Sequence, residues 1–158
     1  MSKVIIRKAK EKELKIIQGL NHELFLHDGE YDPLLNMDWP FEKQGEDYFK
    51  DKISGEKGVC FVAEVGGEIV GYLAGRLMES YSYRKVEKMA ELDNTLVKEE
   101  FRGQGIGENL FKEFIKWSKN QDAERIKVIA YADNFGAIKF YKRVGFIPYE
   151  TVLEYKIK

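Results

Sequence analysis

Arg102-Gly103-Gln104-Gly105-Ile106-Gly107 separates a β-prone run, Met89 to Val97, from an amphipathic run, Leu110 to Lys119. Glycines ahead of a helix leave backbone N–H groups exposed where the helix dipole is positive, which suits a diphosphate. Arg102 adds a full positive charge at the edge of that loop. The spacing sets aside two familiar phosphate loops. A dinucleotide fingerprint started at Gly103 and Gly105 needs glycine at position 108, where this chain has Glu108, and a Walker loop needs a Gly-Lys-Ser/Thr triplet that the chain lacks.

Reading outward, Val4 to Arg7 is expected as a first strand and Glu11 to Leu26 as a helix, with Leu14, Ile17, Leu20 and Leu24 at helical spacing. Asp32-Pro33 and Trp39-Pro40 interrupt regular structure, because proline restricts both itself and the residue before it. A second helix is expected over Phe41 to Ile53. Gly58 to Val65 and Glu68 to Leu77 are β-rich runs joined by Gly66-Gly67, a pair that tolerates the positive φ of a tight hairpin. After the glycine loop and its helix, Ile126 to Ala132 is expected as a strand and Asn134 to Val144 as a helix stopped by Gly145. Thr151 to Ile157 is expected as a last strand. Antiparallel strands first and strand-helix-strand later describe a mixed α/β (α+β) sheet with helices on both faces.

The 158 residues and 44% apolar content suffice for one domain over 1–158 and are too few for two. Net charge is -1, which gives no global reason to expect nucleic acid or a membrane surface as partner. The opening MSKVIIRKAK has no apolar leader pattern, and no long apolar run occurs, so a cytoplasmic protein is expected. Cys60, the single cysteine, lies in an apolar strand pattern and reads as a buried thiol. His22 and His27 are one residue too far apart for one helical face and read as surface histidines, so no metal is expected. Charge is uneven: Asn21 to Lys50 holds eight carboxylates against Lys43 and Lys50, a local balance of -6, which leaves +5 for the rest.

A second motif follows the glycine loop, Asn134-x-x-Ala137-x-x-x-Tyr141-x-x-x-Gly145-Phe146. Ala137 and Tyr141 share a helical face, and Asn134 sits where its side chain can cap the helix or reach a ligand. Together with Arg102-x-x-Gly105-x-Gly107, this pair resembles the paired acetyl-CoA motifs of the GNAT family of N-acetyltransferases. The resemblance extends over the opening strand, the Gly-Gly hairpin and the tail. It is weakest from Asn21 to Lys57, the region where such proteins usually carry their acceptor-specific segment. Glu99-Glu100-Phe101 stands where many relatives have a proline.

The resemblance implies a GNAT-like single domain: a twisted mixed sheet of six or seven strands, about four helices, and a splay between the fourth and fifth strands. It implies acetyl-CoA as donor and no metal. Backbone groups of Leu96 and Val97 would pair with the pantetheine arm like an added strand. N–H groups of Gly103, Gln104, Gly105, Ile106, Gly107 and Glu108, with Arg102 and Asn134, would hold the rest of the cofactor. Tyr141 matches the family's phenol that protonates the departing thiolate.

An ammonium of pKa about 10.4 is neutral in roughly one molecule in 2,500 at pH 7, so a base is useful. Glu91 and Asp93 fall on one side of the strand that leads into the loop, and either can take the proton directly or through water. Glu91 is favoured by its resemblance to the family's early-strand carboxylate. A backbone N–H near Val97 can stabilise the tetrahedral oxyanion. The acidic stretch interleaves Phe25, Tyr31, Trp39, Phe41, Tyr48 and Phe49, a composition suited to a cationic amine acceptor. Tyr81 and Tyr83 are further candidates there. The acceptor is a small molecule or a peptide amine, and a non-catalytic acetyl-CoA sensor is the reading from another class. A homodimer is compatible with the sequence.

Overall fold

A computed structural model describes residues 2–158. Five strands, β1 (Val4–Lys8), β2 (Gly58–Val65), β3 (Glu68–Glu79), β4 (Lys88–Val97) and β5 (Arg125–Val128), lie side by side in chain order. The first four pair antiparallel, and β5 runs parallel to β4. Four helices flank them: α1 (Leu14–Asp28), α2 (Lys43–Ser54), α3 (Ile106–Asn120) and α4 (Phe135–Arg143). The β2–β3 connection is the expected tight turn, with Gly66 at φ 58° and Gly67 at φ 84°.

Alternation along β2 sorts the core into two layers. Val59, Phe61 and Ala63 join Leu110, Phe111 and Phe114 of α3 on one face. Cys60 and Val62 join Ile17, Leu20 and Phe49 of α1 and α2 on the other. Arg7 ties the edge together, donating to Glu13 at 2.7 Å and to Glu64 at 2.7 Å. Lys10 N donates to Glu13 Oε2 at 2.7 Å, which fixes the entry into α1 through a short 3₁₀ turn, Glu11–Glu13.

Two irregularities in β4 position the functional residues. Ala74 faces Asn94 while Gly75 faces Leu92, so Asp93 is the extra residue of a β-bulge. And β4 pairs with β5 only from Met89 to Leu92, against Arg125 to Val128. Beyond that point β4 keeps β3 on one side and parts from β5 on the other, so the splay lies between the fourth and fifth strands as expected.

The sheet has five strands where six or seven were expected, and β5 stops at Val128 where a run to Ala132 was expected. The difference lies in the C-terminal segment. Thr151 to Ile157 has the alternating composition of a strand, yet among the described residues no backbone hydrogen bond joins 147–158 to the sheet. A strand needs a neighbour, and this segment has none among the described residues.

Candidate active site

The glycine loop leads directly into α3. Gly103 (φ 75°) and Gly105 (φ 77°) both adopt the left-handed conformation, and a Cβ built on either meets no atom within 4 Å. The first backbone bond of the helix is Asn109 N to Gly105 O at 3.0 Å. Among the described residues, the N–H groups of Gly103, Gln104, Gly105, Ile106, Gly107 and Glu108 donate to no backbone or side-chain acceptor. Six adjacent donors at the positive end of a fifteen-residue helix, beside open space, form an anion cradle. Gly107 packs against the neighbouring helix, since a Cβ there would lie 3.3 Å from Phe140 Cζ.

Arg102 folds back, with Nε donating to Val97 O at 2.8 Å. That carbonyl keeps its second lone pair, so an added strand-like arm can still bond there. Leu96 is buried in the α1–α2 layer and Val97 packs against the α3 layer. Both lie on the stretch of β4 that has parted from β5. Asn134 caps α4 by accepting from Ala137 N at 3.1 Å.

Tyr141 stands on α4 with its ring 5.5 Å from Phe146 and against the α3 layer. Its hydroxyl makes no hydrogen bond to protein among the described residues. Burial, with a contribution from the Asp28 carboxylate, pushes this phenol up to about 12, so it stays protonated across the neutral range.

On the opposite face the bulge at Asp93 starts a chain of side-chain bonds. Tyr48 of α2 donates to Asp93 Oδ2 at 2.6 Å, and Asn94 Nδ2 donates to Tyr48 at 3.0 Å. Tyr72 donates to Asn94 Oδ1 at 2.6 Å, and Asn21 Nδ2 donates to Tyr72 at 2.8 Å. Burial raises the Asp93 carboxyl above the usual carboxylate range, opposed by the Tyr48 hydrogen bond and the Arg76 charge. Glu91 differs. Arg76 Nη2 holds its Oε2 at 2.7 Å and Nε holds it at 3.2 Å, whereas the closest Arg76–Asp93 approach is 3.4 Å. The structure thus brings both carboxylates to one side, as their spacing indicates, and ties one of them to a guanidinium.

Sequence reasoning misses Asp28, which it sees only as one member of the acidic stretch. Asp28 ends α1 and lies near enough to raise the phenols of Tyr72, Tyr131 and Tyr141. Burial raises its own carboxyl, and His27, 3.4 Å away, partly offsets this. Beside it, Tyr131 donates to Asp32 Oδ2 at 3.2 Å, and the rings of Tyr31 and Tyr131 stack with centroids 6.1 Å apart. Most of the other aromatics in this stretch pack inward: Trp39 stacks on Phe25 at 5.9 Å and meets Tyr48 at 5.4 Å. Tyr81 and Tyr83 stack at 5.2 Å on the exposed β3–β4 loop.

Cys60 is buried, its thiol pushed up by burial, and it touches none of these groups. His22 packs on Phe41, 5.4 Å away. Among the described residues no group of three or more His, Cys, Asp or Glu side chains could hold a metal ion.

The pattern of the acetyltransferase (GNAT) family matches residues 22–146. An uncharacterized N-acetyltransferase of Methanocaldococcus jannaschii is 35% identical over 105 residues, 66% of this chain, and the chain spans only 46% of that protein's length. An N-alpha-acetyltransferase of Sulfurisphaera tokodaii is 30% identical over 113 residues, which covers 68% of each. Among solved structures, an aminoglycoside N-acetyltransferase in complex with CoA shares the fold. Its TM-score is 0.79 at 18% identity, over 99% of this chain and 95% of that one.

Proposed function

This chain belongs to the acetyltransferase (GNAT) family, and on that premise we propose that it is an N-acetyltransferase that moves an acetyl group directly from acetyl-CoA to a primary amine of a small cationic acceptor. The single observation that carries the donor half is the row of six unpaired N–H groups from Gly103 to Glu108, in a loop that lies inside the family match. A diphosphate satisfies such a row, with Arg102 free to swing onto it. The pantetheine arm enters the splay beside Leu96 and Val97, and the acetyl group arrives between the sheet and Tyr141. A solved structure of the same fold in complex with CoA supports CoA as the donor's carrier.

The acceptor approaches from the α1–α2 side. Asp28 and Asp32, flanked by Tyr31 and Tyr131, present two carboxylates and stacked aromatic faces to a cation. In the reaction an acceptor ammonium loses a proton to Asp93, directly or through water, and the neutral amine attacks the thioester carbonyl. The oxyanion is held by a backbone N–H near Val97; collapse expels the thiolate, which takes the Tyr141 proton, and the extra proton on the new amide nitrogen returns through water to the tyrosinate. Asp93 fits the base role better than Glu91. Its carboxyl is raised toward the working range by burial, while that of Glu91 is committed to Arg76. No covalent enzyme intermediate is involved.

The second reading is acetylation of a peptide amine, favoured by the N-alpha-acetyltransferase relative. A single catalytic domain accounts for residues 1–158, and we place it in the cytoplasm as a homodimer with neither nucleic acid nor a membrane as partner. No helix among the described residues is long and apolar enough to cross a membrane.

Thiol release from acetyl-CoA across polyamines, aminoglycosides and short peptides is the test. Turnover with free di- or polyamines is expected, with Asp28→Asn raising the acceptor KM about tenfold while kcat changes little. Turnover with peptides alone would shift the conclusion to the second reading. Binding of acetyl-CoA with no amine-dependent turnover would replace both with a sensor.

A further inference from the structure

The buried side of α2 is Gly45, Phe49 and Lys52, so a lysine stands where helical spacing asks for an apolar side chain. Its side chain is 6% exposed. Gly58 makes the room: a Cβ there would lie 3.0 Å from Lys52 Cδ and 2.9 Å from the backbone oxygen of Asp51. An ammonium taken out of water needs a partner, and the carboxylate bonded to this one, Asp51 Oδ2 at 3.1 Å, belongs to a side chain that is 59% exposed. Solvent screens that carboxylate, and the pair alone does not account for the burial.

The ammonium has a second neighbour. One turn earlier on the same helix is Tyr48, and Lys52 Nζ lies 4.4 Å from the centroid of its ring. The hydroxyl of that ring donates to Asp93 Oδ2 at 2.6 Å. Burial and the Asp93 charge push the phenol up, so it keeps its proton and remains a donor to the carboxylate. A cation over the ring draws electron density from the hydroxyl and strengthens that donation, and its charge also favours the ionised form of Asp93 through space. The groups that act on Asp93 are Tyr48 and Lys52 of α2, Arg76 of β3 and Glu91 of β4, and of these only Glu91 joins burial in opposing ionisation. Tyr72 of β3, pushed up by burial, stays neutral. Arg76 is half-exposed and gives two of its bonds to Glu91, which offsets much of its charge. Lys52 acts from the buried side, where screening is weak.

We propose that Lys52 is a positioning residue for the base: its ammonium, seated on the Tyr48 ring, works through the Tyr48 hydroxyl to hold Asp93 as a carboxylate ready to take a proton. The same field disfavours an ammonium beside Asp93, so it also helps the acceptor reach its neutral form. The role in catalysis rests on Asp93 as the base of the proposed transfer, whereas the link from Lys52 to Asp93 does not.

Lys52→Met keeps the stem and removes the charge, and Lys52→Arg restores the charge. Side-chain carboxyl NMR, with the Asp93 signal assigned by Asp93→Asn, follows the link directly. The titration midpoint of Asp93 is expected to move to higher pH in Lys52→Met and back toward wild type in Lys52→Arg. Asp51→Asn, a change at an exposed side chain, frees the ammonium from its bonded carboxylate and should move the midpoint to lower pH. Thiol release should follow, with kcat/KM of Lys52→Met down about tenfold at about pH 6 and within about twofold of wild type at about pH 9. An unmoved midpoint in a Lys52→Met protein of unchanged circular dichroism would overturn the proposal, since the lysine then only fills space. Should Lys52→Met lose its fold, an unmoved midpoint in Asp51→Asn decides against the proposal in the same way. A midpoint that moves while the pH profile of thiol release stays put would leave the link standing and remove Asp93 as the base.

Discussion

The two faces of the sheet do chemistry with different parts of the chain. On the α3 face the cradle from Gly103 to Glu108 is backbone, shaped by three glycines and pinned to the core by Ile106. On the α1–α2 face the bonds from Asn21 through Tyr72, Asn94 and Tyr48 to Asp93 are made by side chains from four separate elements. A backbone site tolerates change around it as long as its dihedrals survive. A side-chain chain fails at any link, because each buried member left unpaired costs about 1–3 kcal/mol.

The sharpest way to break this contrast is Tyr141→Phe, which leaves the cradle and the side-chain chain in place and removes one hydroxyl. Stopped-flow and steady-state thiol release should show kcat reduced by about 10²- to 10⁴-fold, with the Kd for acetyl-CoA within about twofold of wild type. An unchanged kcat removes the phenol from the reaction. Burial pushes the phenol up to about 12, and burial disfavours a bare thiolate in the same way, which favours proton transfer as the thiolate leaves.

Asp93→Asn comes next, with kcat/KM down about 100-fold and the acidic limb of its pH profile gone. Stability should move the other way. A carboxyl raised in the folded protein binds its proton more tightly there than in the unfolded chain. Its charge therefore costs stability once pH rises above the unfolded value, and the cost disappears as pH falls below it. Asparagine removes that cost at neutral pH, and Tm should rise by about 2 °C in a thermal scan at pH 7.5. A fall in Tm would show that the carboxylate is held favourably and is no base.

Gly105→Ala probes the other face. A Cβ at φ 77° is strained wherever it points, so stability should drop by about 1 kcal/mol. Isothermal titration should show acetyl-CoA binding weakened about tenfold, with the acceptor KM unmoved. The smallest effect belongs to Tyr48→Phe. Losing the hydrogen bond that holds the Asp93 carboxylate lets its pKa climb further, so the acidic limb moves to higher pH and the rate at pH 7 falls about threefold. A limb that shifts to lower pH contradicts the assigned link.

Legibility in the sequence divides along the same line. The glycine loop is readable because positive φ and close approach are recorded as glycine at fixed spacing, and Gly66-Gly67 is readable for the same reason. The splay is expected from resemblance and is realised where β4 leaves β5 after Leu92. The Tyr48–Asp93 bond joins residues 45 positions apart, and no local pattern announces it. The bulge that turns Asp93 and Asn94 toward one layer leaves no mark in composition. Glu91 and Asp93 are both candidates by spacing, but only Arg76 on the neighbouring strand distinguishes them. Asp28 is hidden among eight carboxylates, because its approach to Tyr141 depends on where α1 ends. The missing sixth strand shows the limit of alternation, which specifies a strand's faces and says nothing of whether a neighbour is there to pair with it.

Because every strand lies beside its sequence neighbour, the sheet also has a built-in order of assembly. The two-residue turn at Gly66-Gly67 closes almost without loop entropy, and β4 follows onto that hairpin by antiparallel contacts, while β1 waits for α1 and α2. The β4–β5 pairing likewise waits for α3 to cross over, four residues against four. Folding should therefore finish at the cofactor side, and partial unfolding should begin there, with β5 and the glycine loop exchanging amide protons well before the β2–β3 hairpin opens.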